Sequence, residues 1–276
     1  MPSITRKLCP THGIYSTKTC PLCSEIQHEK RKVFQSKYDK TKRNKDRKKF
    51  YNSTEWQKLR VGVLKYEPIC RVCKHKEAQA VDHICPIAQG GGQLDKENLQ
   101  PICNSCHGRK TAREKEIFYP EWLQPPRIPV TIVCGSIGSG KSHYAKTKAT
   151  NKDLIIDLDD IKVKLTGKKM YQWEGKEQLN ESIKARNLML FGLSKKSILK
   201  YDRAYFIISA PKSKDREWWS KQLNAEVILI DVMHQTCVRR VGEDTRRKDN
   251  LALHIRLIDD WFSKFSPSPI DRAIKW

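Results

Sequence analysis

Between Asp82 and His107 the chain sets a carboxylate and an imidazole side by side, Asp82-His83, then a carboxamide at Asn98 and a second imidazole at His107. Hydrolysing a phosphodiester needs an activated water, a cation against the charge growing on phosphorus, and a fixed geometry for both. These side-chain types can supply all three. An imidazole has an ordinary pKa of about 6.5, so near neutral pH it can take a proton from water. Further on, Gly135-Ser136-Ile137-Gly138-Ser139-Gly140-Lys141-Ser142 spells GxxxxGKS directly after the β-branched run Val130 to Cys134. The glycines let backbone N–H groups turn toward phosphates, Lys141 can reach the terminal phosphates of ATP, and the Ser142 hydroxyl can ligate the accompanying Mg²⁺.

Cysteines bracket the first constellation. Cys70xxCys73 and Cys103xxCys106 are two pairs whose two-residue gaps let both thiolates of each reach one ion. Four thiolates close a tetrahedral zinc and leave no position for substrate, so this metal is expected to be structural. The segment around it is short and polar, and zinc binding can add ~10 kcal/mol of folding free energy to such domains. Cys9xxHis12 and Cys20xxCys23 have the spacing of two knuckles on a second zinc; a loose tail with incidental cysteines is the alternative. Cys85, Cys134 and Cys237 are left over and read as ordinary half-buried thiols. Cys103 to His107 also spells CxxCH, the covalent haem-attachment motif, a chemistry that requires export.

The elements that position the first site read as a short strand over Ala80-Val81-Asp82-His83-Ile84, a Gly-rich loop at Gly90 to Gly92, a second strand over Asn98-Leu99-Gln100-Pro101-Ile102, and a helix from about Asn104. With its four bracketing cysteines, this run resembles the HNH endonuclease family, of ββα-metal architecture, in the zinc-braced form common in phage and mobile-element proteins. The resemblance spans roughly Phe50 to Glu116, including Trp56-Gln57-Lys58-Leu59-Arg60 and Lys110-Thr111-Ala112. It implies that His83 is the general base, that Asp82 and His107 hold a divalent ion (Mg or Mn), and that Asn98 fixes the loop orienting His83. The N-terminus of the helix carrying His107 would favour phosphate, with Arg109 and Lys110 close by. A zinc-braced binding module without cleavage, with His83 as a satisfied core or turn residue, is the alternative.

Four prolines between Pro120 and Pro129 favour an extended, semi-rigid connector. Beyond the phosphate loop, strand-like Leu154 to Asp157, Ala204 to Ile208 and Val227 to Ile230 alternate with helical stretches, the longest running to about Leu199. Continuous apolar strands between helices indicate a parallel sheet covered on both faces. Trp218, Trp219 and Trp261 read as packing. The phosphate loop, Asp157-Leu158-Asp159-Asp160 after the second strand, and the Arg-rich segment from Cys237 to Arg247 together resemble the small P-loop kinases, in particular phage-type 5′-polynucleotide kinases, over about Ile128 to Phe265. That resemblance implies that Asp159 takes the proton of the attacking hydroxyl and that Arg240 and Arg246 form a lid over the transferring phosphoryl group. The chain departs from the pattern at Lys162, where such kinases carry Arg, and at Ser209-Ala210-Pro211, where they carry an Asp followed by Asn. Both bear on the acceptor more than on ATP. As alternatives, the acidic cluster is strand-end and helix-cap chemistry, and the Arg cluster is a nucleic-acid face.

The charge is consistent with such partners. With 54 basic and 31 acidic residues in 276, the formal net charge is +23, which calls for a polyanion, most simply nucleic acid and DNA first. The densest run, Lys30 to Lys49, suits phosphate contacts without sequence choice; a solvated, partly disordered segment is the other reading. No stretch is apolar enough to span a membrane, and the start of the chain lacks the apolar core of a secretory signal. The expected location is therefore the cytoplasm, that of a host cell if a phage encodes the protein.

Together these features predict an α/β multidomain chain: a Cys3His knuckle over 1–27, a basic segment over 28–49, a zinc-braced HNH domain over 50–117, a Pro-rich linker over 118–129 and a P-loop kinase domain over 130–276. The function they imply is metal-dependent cleavage of DNA combined with ATP-dependent phosphorylation of 5′-hydroxyl ends. A deoxynucleoside monophosphate kinase in the second half, or a nuclease gated by nucleotide binding, are the alternatives. By resemblance the cleavage leaves a 5′-phosphate, so its own product needs no 5′ kinase.

Overall fold

The computed structural model describes residues 7–16, 19–29, 32, 45–114, 118–172 and 175–276. Most of the basic run, 33–44, lies outside them. The chain divides into two compact units, Met1–Gly62 and Val63–Trp276. In the first, β1 (Lys7–Cys9) and β2 (Gly13–Tyr15) form an antiparallel hairpin followed by helix α1 over 21–29. Helix α2 (Lys45–Tyr51) follows, then α3 (Thr54–Tyr66), whose last turn belongs to the second unit, and Trp56 is buried against Phe50 and Tyr51 at ring separations of 5.2 and 5.3 Å.

The second unit begins with a hairpin, β3 (Ala80–His83) against β4 (Leu99–Ile102), and helix α4 (Asn104–Arg113), the strand, loop, strand and helix order expected. Its own apolar cluster is small: Ile102 with Cys70, Cys103 and Cys106. The remainder is an α/β domain with five parallel strands in the order β6-β7-β5-β8-β9. The strands are β5 (Val130–Cys134), β6 (Asp153–Ile156), β7 (Arg203–Ile208), β8 (Glu226–Asp231) and β9 (Asp271–Lys275). The helices between them are α5 (Lys141–Lys148), α6 (Leu158–Thr166), α7 (Gly175–Gly192), α8 (Ser213–Leu223), α9 (His234–Glu243) and α10 (Leu251–Lys264).

Alternation along each strand builds two cores. Ile132, Phe206 and Leu229 face one side with Leu190 of α7, Trp219 of α8 and Trp261 of α10, while Val133, Ile207 and Ile228 face the other with Tyr144 and Ala145 of α5. Both faces are thus covered by helices, and β5 is buried throughout, its one polar side chain, Thr131, donating to Glu226 at 2.8 Å. The three tryptophans pack as the sequence suggested, Trp218 and Trp219 edge to face at 4.8 Å.

Several expectations are corrected. Cys85, Cys134 and Cys237 are fully buried rather than half-buried, and burial pushes the Cys85 thiol up to about 12. The helical stretch to Leu199 is broken after α6 at Gly167, which adopts a left-handed φ of 67° as helix cap, and resumes as α7. The Pro-rich segment read as a semi-rigid connector packs along the main core, with Trp122, Leu123 and Ile128 buried there and Trp122 edge to face with Phe191 at 5.7 Å. Strand β9 went unanticipated, because Asp271-Arg272-Ala273-Ile274-Lys275 has little apolar content and gains its conformation from pairing with β8.

One buried cation holds this far edge. Arg216 of α8 is 0% exposed; it forms two bonds of 2.7 and 2.6 Å to the Asp271 carboxylate and also donates to the carbonyls of Ala210, Pro211 and Ser266. All its donor edges are matched, which is what lets a guanidinium stay dry. Arg216→Ala leaves Asp271 and three carbonyls unpaired in the interior. Denaturant unfolding should show a loss of about 3 to 5 kcal/mol, and a loss below about 1 kcal/mol would mean that this network does not anchor β9.

Candidate active sites

The hairpin sets Asp82 opposite Gln100 and His83 opposite Leu99. Asp82 faces α4: its Oδ1 lies 3.8 Å from His107 Nε2, and its Oδ2 is 2.9 Å from Lys110 Nζ and 3.4 Å from Gln100 Nε2. The carboxylate and imidazole proposed as ligands therefore stand together, close enough for one ion with little movement. His83 is 3% exposed, and its Nε2 lies 2.9 Å from the Gln93 carbonyl. That oxygen can only accept, so the tautomer this contact selects protonates Nε2 and leaves Nδ1 as the basic nitrogen.

The loop between the strands is clasped by Asn98. Fully buried, it accepts from Cys85 N at 2.8 Å and donates to the carbonyls of Cys85 at 3.1 Å and Gly92 at 3.0 Å. With both ends of the amide engaged, Asn98 positions the loop that presents Gln93 to His83. Lys110, which the sequence suggested as a phosphate contact, is turned inward onto Asp82, Glu114 and the His83 carbonyl. Arg109, which stays exposed, donates to Cys106 Sγ at 3.2 Å.

The four bracketing cysteines come together, their ligand atoms all within 4.8 Å of one another and the Cys73 and Cys103 sulfurs 4.0 Å apart. A tetrahedral zinc with Zn–S bonds of about 2.3 Å has sulfur-to-sulfur edges of about 3.8 Å, so the donor set fits that ion. Cys9, His12, Cys20 and Cys23 also converge, with His12 Nδ1 at 3.6, 3.6 and 3.2 Å from the sulfurs of Cys9, Cys20 and Cys23. All ten cysteines are free of disulfides.

The phosphate loop lies between β5 and α5, and the order of the sheet reverses at β5, where an open α/β sheet leaves a crevice at its strand ends. Gly138 and Gly140 have φ of 77° and 97°. A Cβ on Gly138 would come 2.6 Å from the Cys237 carbonyl oxygen of α9, so only glycine lets that helix press onto the loop. Lys141 Nζ donates to Ser136 O at 2.6 Å, and its burial lowers its pKa below that of ordinary lysine. The Ser136 and Ser139 hydroxyls are buried without a partner among the described residues, so this cradle fits a ligand rich in acceptor oxygens.

Across from the loop, the Asp157 to Asp160 cluster divides its work. Asp157 is the helix cap of the alternative reading, accepting from Asp159 N at 3.0 Å, and it also accepts from Ser142 Oγ at 2.6 Å. Asp160 lies 3.6 Å from Lys146. Asp159 lines a cavity of about 840 Å³ together with Lys141, Ser142, Arg240 and Arg246. Arg240 donates to Ser139 O at 3.0 Å and Trp276 O at 3.1 Å, while Arg246 is forked on Asp244 at 2.8 Å twice. That fork holds the Asp244 carboxyl below its ordinary range. Sequence reasoning gave no role to Asp244 or Tyr171, whose ring lies 3.4 Å from the guanidinium carbon of Arg247 in the Arg-rich segment; no motif spacing marks them.

Gly91 offers a direct test of the Asn98 clasp. A Cβ there would stand 2.0 Å from the Cys85 carbonyl oxygen and 2.7 Å from Asn98 Nδ2. Gly91→Ala should therefore break the clasp, cost about 1 to 3 kcal/mol for each buried group left unpaired, and speed hydrogen exchange at the Cys85 amide. Unchanged exchange would show that the loop is held some other way.

Residues 70–113 match the family model described as HNH endonuclease. The DNA annealing helicase and endonuclease ZRANB3 is similar over 34 residues, 53% identical in Homo sapiens and 50% in Mus musculus, in each case 12% of this chain and 3% of the relative's length. Among solved structures, the Pnkp1/Rnl/Hen1 RNA repair complex has a TM-score of 0.38 at 15% identity, covering 54% of this chain and 50% of that one. Shikimate kinase from Acinetobacter baumannii has a TM-score of 0.34 at 15% identity, covering 55% and 85%. Residues 70–113 thus match an HNH endonuclease domain, joined in this chain to an α/β domain that carries the GxxxxGKS loop between β5 and α5.

Proposed function

We propose that the chain is a bifunctional nucleic-acid enzyme, a metal-dependent HNH endonuclease acting on DNA and an ATP-dependent 5′-hydroxyl polynucleotide kinase. The observation that carries this reading is that one compact unit holds both the Asp82, His83 and His107 hairpin and a P-loop cavity with Asp159 in its wall. In the nuclease, His83 Nδ1 takes the proton of the attacking water, while Asn98 and Gln93 keep the ring from turning away. Asp82 and His107 would hold a Mg or Mn ion, which supplies charge neutralisation at the phosphate; Lys110 orients Asp82 from the other side. In the kinase, loop amides, Lys141 and Ser142 bind ATP with its Mg, Asp159 accepts the acceptor's proton, and Arg240 and Arg246 screen the moving phosphoryl group. The two cysteine sets would carry structural zinc.

Lys162 bears on the acceptor. It is fully buried and donates to the carbonyls of Lys169 at 2.5 Å and Gln172 at 3.0 Å, so it serves the turn after α6 rather than a substrate. A second reading, cutting gated by nucleotide, is favoured by the contact between the domains. Lys195 Nζ lies 2.5 Å from Asp95 in the HNH loop, and Gly90 of that loop packs against Leu188 of α7.

His83→Ala should abolish metal-dependent nicking of plasmid DNA by a protein with an unchanged unfolding transition; cleavage that persists would overturn the nuclease assignment. In that background, labelled ATP should transfer its terminal phosphate to a 5′-hydroxyl oligonucleotide. Lys141→Ala should stop this transfer and leave nicking by the otherwise native chain unchanged. Label on deoxynucleoside monophosphates alone would move the second domain to nucleotide salvage, and loss of nicking in Lys141→Ala would favour gating.

A further inference from the structure

Two arginines are buried in the α/β domain, and they are provisioned differently. Arg216 has a carboxylate and three carbonyls. Arg186 of α7, 6% exposed, meets no carboxylate among the described residues: its hydrogen-bond partner there is Asn187 Oδ1, at 3.1 Å from Nε and 2.8 Å from Nη2. Its flat face lies 5.1 Å from the Trp219 ring and 5.8 Å from that of Phe206. A neutral amide does not offset a guanidinium withdrawn from water, and burial brings its pKa down to about 10, still protonated near neutral pH. Among the described residues no hydrogen bond engages Nη1, and Arg186 lines the same cavity as Lys141 and Asp159.

The rest of that end of the cavity suits a nucleotide unit. Phe118 and Tyr119, from the Pro-rich segment, line it with Ser209 and Trp219, and Tyr119 stands edge to face with Trp218 at 5.2 Å. Aromatic walls beside a cation can stack a base while the cation takes its phosphate. Lys162, at the position where the kinase pattern has an acceptor arginine, is withdrawn into its own turn.

We infer that Arg186 is the acceptor-phosphate binding residue of the P-loop domain, its free guanidinium edge taking a phosphate already present on the phosphoryl acceptor. The acceptor is then a phosphorylated nucleoside unit, and a bare nucleoside or an uncharged alcohol is excluded. The inference rests on the kinase reading for its word "acceptor", but the anion site itself is testable by binding. A 3′-phosphate or phosphodiester beside the reactive 5′-hydroxyl and the 5′-phosphate of a monophosphate share the chemistry that Arg186 reads, since a rigid fork matches two phosphate oxygens whichever ester carries them.

The experiment uses the full chain carrying His83→Ala, saturated with a non-hydrolysable ATP analogue. Binding of thymidine, thymidine 3′-monophosphate and thymidine 5′-monophosphate is measured by calorimetry, followed by transfer kinetics with ATP. One phosphorylated probe should bind roughly 10- to 100-fold more tightly than thymidine, as a charge-assisted bond pair warrants. Preference for the 3′-phosphate marks a polynucleotide end, and preference for the 5′-phosphate a monophosphate. In Arg186→Met the preference should vanish with ATP-analogue affinity intact, and acceptor KM should rise with kcat little changed. Arg186→Lys, which keeps the charge but not the fork, should fall between the two and serves if the Met variant does not fold. Equal binding of thymidine and its phosphates, or an undiminished preference in a folded Arg186→Met or Arg186→Lys protein, overturns the inference. Phosphate-dependent binding that Arg186→Met removes, without transfer to any acceptor, overturns the kinase reading and leaves the anion site standing.

Discussion

The strand that ends in His83 runs straight into the core of the other domain. Ile84 and Cys85, the next two residues, are buried in one cluster with Trp122, Phe191 and Ile132, so a continuous apolar contact joins the HNH hairpin to the parallel sheet. Buried apolar area stabilises by roughly 25 cal/mol per Å², and a hairpin whose own cluster is little more than Ile102 and cysteines has few other sources. The Pro-rich segment completes the contact, with Trp122 and Leu123 in the core and Arg127 bonded to the Leu193 and Ser194 carbonyls. Both sites therefore sit on one scaffold, and the HNH loop with Gly90 and Asp95 meets α7 and Lys195 directly.

Charge is distributed on a different principle inside than outside. The chain carries +23 overall, a field suited to collecting polyanions, yet the cations nearest the chemistry are bound to protein acceptors: Lys110 to Asp82, Lys141 to Ser136, Arg240 to Ser139, Arg246 to Asp244. Held this way, they are oriented before substrate arrives, which lowers the reorganisation needed during reaction. Arg186 stands apart because no carboxylate among the described residues meets it.

Much of the fold was legible because local chemistry agreed with it. A β-branched run before GxxxxGKS can only be a strand feeding a phosphate loop, and the paired CxxC knuckles fix their own geometry over a few residues. What escaped were features that depend on a remote partner. Asp271 to Lys275 is a strand because β8 and Arg216 receive it; Lys110 was read as a phosphate contact because Asp82 is remote in sequence but adjacent in space. The prolines suggested a semi-rigid connector, since sequence shows their stiffness but not that Trp122 and Leu123 find a pocket beside them.

The sequence by itself marked the two candidate sites, because residue type and short spacing decide which atoms can hold a phosphate, an ion or a proton. It also determined the parallel α/β class, since strands apolar on both faces need cover on both. Only the tertiary structure decided which side chains are left for a ligand once the protein's own demands are met. Asp157 and Lys162 are taken by a cap and a turn, while Arg186 opens on the cavity, with no carboxylate partner among the described residues. That division follows from long-range packing, because a donor's partner is whatever the fold brings within about 3 Å of it, and such proximity is not encoded by neighbours in the chain.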